Sequence, residues 1–454
     1  MNPSWLPGHA DLGPFAEEIE RELLAASNVV RSGKVVEVVG TLIKVAGLDV
    51  SLGDLCELRA RSTPMVQYAE VVGFTRDLAL LSPFSQLSGV SRSTQVFGLG
   101  RALEIGVGEA LLGRVIDGLG RPIDGGPPIE TSATQPVFAP APQAMQRRSI
   151  SVPLVTGVRA VDALMTLAEG QRMGIFAPAG VGKSTLMGMF ARGAQCDVSV
   201  IALIGERGRE LREFIDESLG AQGMARSVVI CATSDNSAME RMKAAYVATA
   251  IAEYFRDRGQ RVLLMMDSLT RFARAAREIG LAAGEPPARR GFPPSIFAEL
   301  PRLLERAGMG AQNRNAGSIT ALYTVLVEDE SGTDPVAEEV RSILDGHMIL
   351  SREIAAKNRY PALDVLNSLS RVMPRVMPTE SMKAAARLRQ LLASYRDVEM
   401  LLQIGEYQPG NNALADEAIA KRDMIEDFLS QDVNDFATLK QTQARLSELA
   451  RASQ

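Results

Sequence analysis

The chain has 454 residues, 46% of them hydrophobic, and a formal net charge of −5 with acids and bases interspersed. That length suits roughly three domains of ~150 residues, and no apolar run approaches the ~20 residues of a membrane span. The opening residues lack a secretory leader's basic and apolar blocks, the acidic balance argues against a nucleic-acid motor with a basic stripe, and three cysteines and two histidines without ligand spacing argue against a metal cluster.

Residues 15–27 carry helical periodicity, with Ile19, Leu23 and Leu24 on one face and an acidic back. From Gly33 the pattern changes to short runs, Lys34–Val39, Leu42–Val45, Leu55–Arg59, Met65–Val72 and Leu78–Leu81, punctuated by glycines. Many short strands separated by turn residues predict a small β-barrel. Thr131–Gln146, rich in Pro and Ala, reads as an extended connection. Strands are then predicted at Met173–Ala177, Val198–Ile204, Val228–Ala232, Val262–Met266, Ile319–Leu326 and Met348–Ser351. Helices lie between them, including a long one from about Ala238 to Arg258, stopped by Gly259. Such alternation predicts an α/β fold whose mostly parallel sheet is covered on both faces. Beyond Pro378 the chain reads as helical to its end, with a break near Gly405–Asn412. The expected domains are 1–95 (helix and β-barrel), 96–376 (α/β) and 377–454 (α-helical).

The chemistry concentrates at residues 177–185, Ala-Pro-Ala-Gly-Val-Gly-Lys-Ser-Thr, between a predicted strand and a predicted helix. Backbone N–H groups of Pro178-Ala179-Gly180-Val181-Gly182-Lys183-Ser184-Thr185, freed by the glycines, can point at phosphate oxygens from a helix N-terminus; proline itself offers none. Lys183 would reach the β- and γ-phosphates, and the Ser184 hydroxyl would join a Mg²⁺ shell, so the loop predicts nucleoside triphosphate binding. The pattern departs from G-x-x-x-x-G-K-[ST] where Ala177 replaces its first glycine, which costs little if Ala177 keeps strand-like dihedrals. Asp267 ends an apolar strand and could hold the same Mg²⁺, or be a structural strand-end acid. Glu206 follows another strand and could orient the attacking water. The alternative is that Glu206, Arg207, Arg209 and Glu210 form a solvated charged loop.

Longer blocks resemble one family. Leu111-Leu-Gly-Arg-Val-Ile-Asp-Gly-Leu-Gly-Arg-Pro, Asp267-Ser-Leu-Thr-Arg-Phe-Ala, Gly284-Glu-Pro-Pro-Ala-Arg-Arg-Gly-Phe-Pro-Pro, Ser342-Ile-Leu-Asp-Gly-His and Pro361-Ala-Leu-Asp-Val-Leu-Asn-Ser-Leu-Ser370 with Arg371 look like the catalytic-type rotary ATPases. Gly205-Glu-Arg-Gly-Arg-Glu-Leu-Arg-Glu-Phe, Ala252-Glu-Tyr-Phe-Arg-Asp and Ile279-Gly-Leu-Ala-Ala-Gly-Glu-Pro-Pro resemble the branch that drives type III protein secretion, and Ile404-Gly-Glu-Tyr-Gln with Leu55-Cys-Glu-Leu resembles its injectisome rather than its flagellar members. The resemblance covers nearly everything from Gly33 onward and implies a RecA-like P-loop core that hydrolyses ATP with Mg²⁺. It places Lys183 at the phosphate-binding lysine, Ser184 and Asp267 at the metal, and Glu206 at the catalytic glutamate with Arg207 beside it. It puts Arg271 near the phosphates, Tyr360 against the adenine, and Arg371 where a finger acts on the neighbouring subunit's nucleotide. A finger of that kind can be worth ~10³–10⁵ in rate.

The resemblance further implies a cytoplasmic homohexamer, peripherally attached to the membrane export apparatus. It would have a central coiled-coil stalk facing Arg289-Arg290, a stator-like regulator at the N-terminal region, and chaperone–substrate complexes at the C-terminal domain. Flagellar export, a non-catalytic nucleotide-binding ring subunit and a nucleic-acid translocator are the competing readings. Two departures stand out: Ala311–Ala316 lengthens the loop before Gly317, and Asn411-Asn412 replaces a turn that usually carries a carboxylate.

Overall fold

The computed structural model describes residues 32–60, 66–312, 316–327 and 334–451. The helix expected over 15–27 lies outside the described residues, as do residues 313–315 of the 311–316 loop. The chain forms two compact units: one runs through residue 83 and again over 87–101, and the other holds 84–86 and everything from 102.

The first unit is a closed antiparallel barrel. Its strands are β1 (Ser32–Val39), β2 (Leu42–Ala46), β3 (Leu55–Arg59), β4 (Gln67–Thr75), β5 (Leu78–Pro83) and β6 (Gln95–Gly98), ordered β1-β2-β5-β4-β3-β6. Val35, Ile43, Val45, Cys56, Leu58, Val71, Leu81 and Val96 fill the interior. β6 closes the barrel against both β1 and β3. It went unread in the sequence, and it straddles the expected boundary at 95/96.

In the second unit, β7 (Glu104–Val107) pairs with β9 (Ala133–Pro136), so part of the expected extended connection is a strand. β8 (Val115–Asp117) is an edge strand of the main sheet. β10 (Pro153–Leu154) and β11 (Leu167–Ala168) form a two-stranded ribbon. The main sheet continues with β12 (Arg172–Ala177), β13 (Val198–Ile204), β14 (Ser227–Ala232), β15 (Arg261–Asp267), β16 (Gly308–Met309), β17 (Ser318–Leu326), β18 (Gly346–Ile349) and β19 (Leu369–Ser370). Its order is β19-β18-β12-β17-β15-β13-β14-β8, with β16 on β17. Pairing from β18 to β8 is parallel throughout; β16 and β19 run antiparallel. Every residue of β13 and β14 is buried, as a sheet covered on both faces requires.

The long helix Ala238–Asp257 is N-capped by Ser237, whose hydroxyl accepts from Glu240 N. Its Glu253 meets Arg306 in a buried bidentate pair, Nε–Oε1 3.1 Å and Nη2–Oε2 2.6 Å, while Arg306 Nη1 donates to Val137 O at 2.8 Å. The stretch expected to be a plain connection is therefore tied to the core. C-terminal helices span Thr379–Gln403, Ala413–Ala420, Arg422–Leu429 and Leu439–Ala450. Asn412 caps the second by accepting from Leu414 N and Ala415 N. Asp416 accepts from Gly410 N and from the Tyr407 hydroxyl, both at 2.8 Å, and so supplies the carboxylate that Asn411-Asn412 lacks.

Candidate active site

In a parallel sheet, ligands gather beyond the carboxyl ends of the strands, and here the ends of β12, β13 and β15 lead into the phosphate loop, Glu206 and Asp267. Ala177 is the last residue of β12, paired with Leu326 of β17, so it keeps strand geometry in place of the pattern's glycine. Gly180 and Gly182 take φ of +79° and +83°. A Cβ on Gly182 would press against the Tyr360 ring at 3.4 Å. The helix Lys183–Gly193 follows at once, with Ser184 and Thr185 exposed in its first turn.

Lys183 Nζ donates to Asp267 Oδ1 at 2.5 Å and lies 3.8 Å from Glu206 Oε1. Thr324 on β17 donates its hydroxyl to the same Asp267 oxygen at 2.7 Å. Arg271 grips Glu206 with both arms of its fork, Nε–Oε1 3.1 Å and Nη2–Oε2 3.2 Å. Local chain chemistry arranges this contact. Ser268 caps the helix Leu269–Ala282 by accepting from Arg271 N, which puts Arg271 in the first turn. Gly205, at φ +66°, lets the arginine pass where a Cβ would sit 2.8 Å from Arg271 Cδ. Glu206 is 8% exposed and Asp267 3%. Burial, then the Asp267 carboxylate, push the Glu206 carboxyl above its ordinary range, against the pull of Lys183 and Arg271.

The oxygen-only donors of Asp267 and Ser184 suit a hard divalent cation. Among the described residues no group of three or more His, Cys, Asp or Glu forms a protein-only cage. A cation here would share its shell with phosphate oxygens.

Tyr360 lies beside the loop on a cleft of about 790 Å³, whose lining includes Gly180, Thr185, Arg159, Asn358, Gln431 and Val433. The C-terminal wall of this cleft, around residues 430–433, went unread in the sequence. It is fixed by Arg159 N to Gln431 Oε1 (2.7 Å), Arg159 Nη1 to Asp435 (2.6 Å), Arg192 Nη2 to Val433 O (2.7 Å) and Gln431 N to Tyr360 O (2.8 Å). Thr324 also went unread; β17 carries Ser318 and Thr320 as well, so one more threonine in it gave no distinct signal.

Two predicted residues stay apart from the cluster. Arg207 is 79% exposed and pairs with Glu210 at 3.4 Å. Arg371 follows β19, whose Ser370 pairs with Gly346 at the start of β18, and its N–H donates to Asp345 O at 3.0 Å. Asp345 in turn accepts from Arg172, the first residue of β12. Arg371 thus lies at the end of the sheet remote from the loop, separated by the length of β12, ~17 Å at the usual rise.

Three family models match: the ATP synthase alpha/beta family nucleotide-binding domain over 157–370, its beta-barrel domain over 35–100, and the T3SS EscN ATPase C-terminal domain over 377–448. A type 3 secretion system ATPase of Xanthomonas euvesicatoria is 68% identical, covering 93% of this chain and 95% of its own length. A flagellum-specific ATP synthase of Bacillus subtilis is 47% identical over 92% of this chain and 95% of its own. The assembled ATPase EscN of enteropathogenic E. coli, solved in complex with its central stalk EscO, superposes with a TM-score of 0.85 at 46% identity, covering 92% of this chain and 100% of that one. With barrel, nucleotide-binding and C-terminal domains each matched and such identity along nearly its whole length, the chain belongs to the type III secretion system ATPases, a branch of the ATP synthase alpha/beta family.

Proposed function

We propose that this chain hydrolyses Mg²⁺-ATP to drive type III protein secretion, working as a homohexamer in the cytoplasm at the membrane base of an injectisome. The observation that carries the reading is the cluster of Lys183, Asp267, Glu206 and Arg271 at the mouth of the phosphate loop. The loop's N–H groups and Lys183 bind the β- and γ-phosphates, which compete with Asp267 for the lysine's ammonium. Asp267 and Ser184 would hold Mg²⁺, which would neutralise phosphate charge. Glu206, buried and steadied by Arg271, orients the attacking water and takes its proton. Tyr360 stacks on the base at the rim of the cleft. Arg207 is assigned to this site by resemblance alone.

Arg371 cannot serve its own loop from the far end of the sheet, so it acts as a finger toward a neighbouring copy's nucleotide. Loop, glutamate and finger in one chain make a ring of identical, equivalent sites. The coupled work is release of chaperones from export substrates and unfolding of those substrates, received at the C-terminal helices. A central stalk faces Arg289 and Arg290, which form an exposed turn, and a stator-like regulator docks on the N-terminal region. Among the described residues no helix is long and apolar enough to cross a membrane, in keeping with peripheral attachment. Identity of 68% to a secretion ATPase against 47% to a flagellar one favours the injectisome over the flagellum. The presence of Glu206 beside Lys183 favours an enzyme over a non-catalytic ring subunit.

The test is ATP turnover per subunit across a wide protein-concentration series, wild type beside Arg371→Ala. Turnover should rise with assembly and collapse in the variant at every concentration. Equal turnover per subunit at all dilutions would overturn the ring mechanism.

A further inference from the structure

A finger that acts across a subunit boundary has to be held by its own chain. The segment carrying Arg371 offers little backbone support: β19 is two residues long, at the sheet's edge, paired with β18 alone. The guanidinium is exposed and makes no hydrogen bond or ion pair among the described residues. What fixes the segment is a set of side chains beneath it. Gln171 is fully buried, and its Nε2 donates to Ser370 Oγ at 3.0 Å and to Asp345 O at 3.3 Å. Its Oε1 accepts from Ala168 N at 3.0 Å, which locks the amide's orientation. The Ser370 hydroxyl donates to Thr166 O at 2.9 Å and accepts from Met373 N at 3.3 Å. The residues on either side of the finger are therefore tied to one hydroxyl, and that hydroxyl to Gln171.

The geometry points to Gln171 as a positioning residue for Arg371. It holds Ser370 and the Asp345 carbonyl, to which Arg371 N–H is bonded, so that the guanidinium leaves the sheet edge along one direction. The same residue immediately precedes β12, the strand that ends in the phosphate loop, so one buried amide joins the base of a chain's own nucleotide strand to the finger it presents outward. A buried amide is costly unless its polar atoms are bonded, and both bonds of the Gln171 Nε2 group go to the residues around Arg371. This inference rests on the reading of Arg371 as a finger acting in trans.

Mixed rings separate the two ideas. A Glu206→Gln chain donates a finger but has no working site; an Arg371→Ala chain has a site but no finger. Mixing them should restore turnover, and failure to do so removes the trans finger itself, and this inference with it. Gln171→Met is then placed in one chain at a time, with ring assembly checked by sedimentation. In the finger-donating chain it should lower the restored turnover by about ten- to a hundredfold, since a misplacement of ~1 Å can cost ~10², with KM for ATP unchanged. In the site-providing chain it should leave the restored turnover as it was. Equal losses in both arms, or none in either, would overturn the assignment. Should the methionine chain fail to enter rings, Ser370→Ala carries the same asymmetric test by removing the acceptor.

Discussion

Replacing Glu206 with glutamine changes one atom of shape and one unit of charge, and the two consequences separate. In the cluster two cations, Lys183 and Arg271, face two carboxylates, Glu206 and Asp267. Glu206→Gln leaves a net charge of +1 beside the phosphate loop. At an effective dielectric of ~20 and roughly 6 Å from a phosphate oxygen, that charge is worth ~3 kcal/mol. The open mouth of the loop and ordinary salt reduce this to about 1 kcal/mol, equivalent to ATP binding about fivefold tighter. Loss of the group that accepts the water's proton lowers kcat by ~10²–10⁴. The assay is a fluorescent-nucleotide titration alongside phosphate release on the same assembled preparation. Tighter binding with slower turnover is the expected pair. Weaker binding, or turnover that survives, would mean that Glu206 supports the site's structure rather than acting on water.

Tyr360→Ala should raise KM for ATP by about tenfold with little change in kcat, because a base stacked on an aromatic ring is worth ~1–3 kcal/mol; an unchanged KM would remove the stacking role. Arg306→Met should cost ~3 kcal/mol, read as a lower Tm, by removing both hydrogen bonds of the buried Glu253 and leaving it only the cation of Arg256 at 3.8 Å. The double change with Glu253→Leu should recover much of that loss, and a double variant as unstable as the single one would refute the charge argument. All three cysteines are buried, with burial pushing Cys56 and Cys231 up to about 12 and Cys196 upward too. Because the raised values leave almost no thiolate, maleimide at about pH 8 should label none of them until denaturant is added. Rapid labelling of the native chain would contradict this burial.

The sequence was most legible where burial is uniform. β13 reads as an unbroken apolar run because it is covered on both faces, and its bounds, Val198–Ile204, agree residue for residue. The phosphate loop was legible because few backbones need two glycines before a Lys-Ser pair. β8 was hidden, since three residues inside a glycine-rich turn carry no periodicity. β9 was hidden because its neighbours are Pro and Ala, and its partner β7 lies far upstream. Glu206 and Asp267 were readable from their strand ends, but the contacts of Arg271 and Thr324 exist only once neighbouring strands are in register. Arg371 meant nothing by spacing alone; its resemblance to a family pattern singled it out, and the sheet topology explains why it faces outward.

The segment around residues 430–433 makes one wall of the cleft beside the phosphate loop, yet it belongs to the C-terminal helical domain. A bound nucleotide would therefore touch both domains at once, and its binding free energy would include whatever it takes to hold them in this relation. Linkage works in both directions. Any partner that favours another arrangement of the C-terminal helices would change nucleotide affinity, and by the same factor the nucleotide would change the affinity for that partner. Emptying and refilling the cleft would then change the affinity of the C-terminal helices for any such partner.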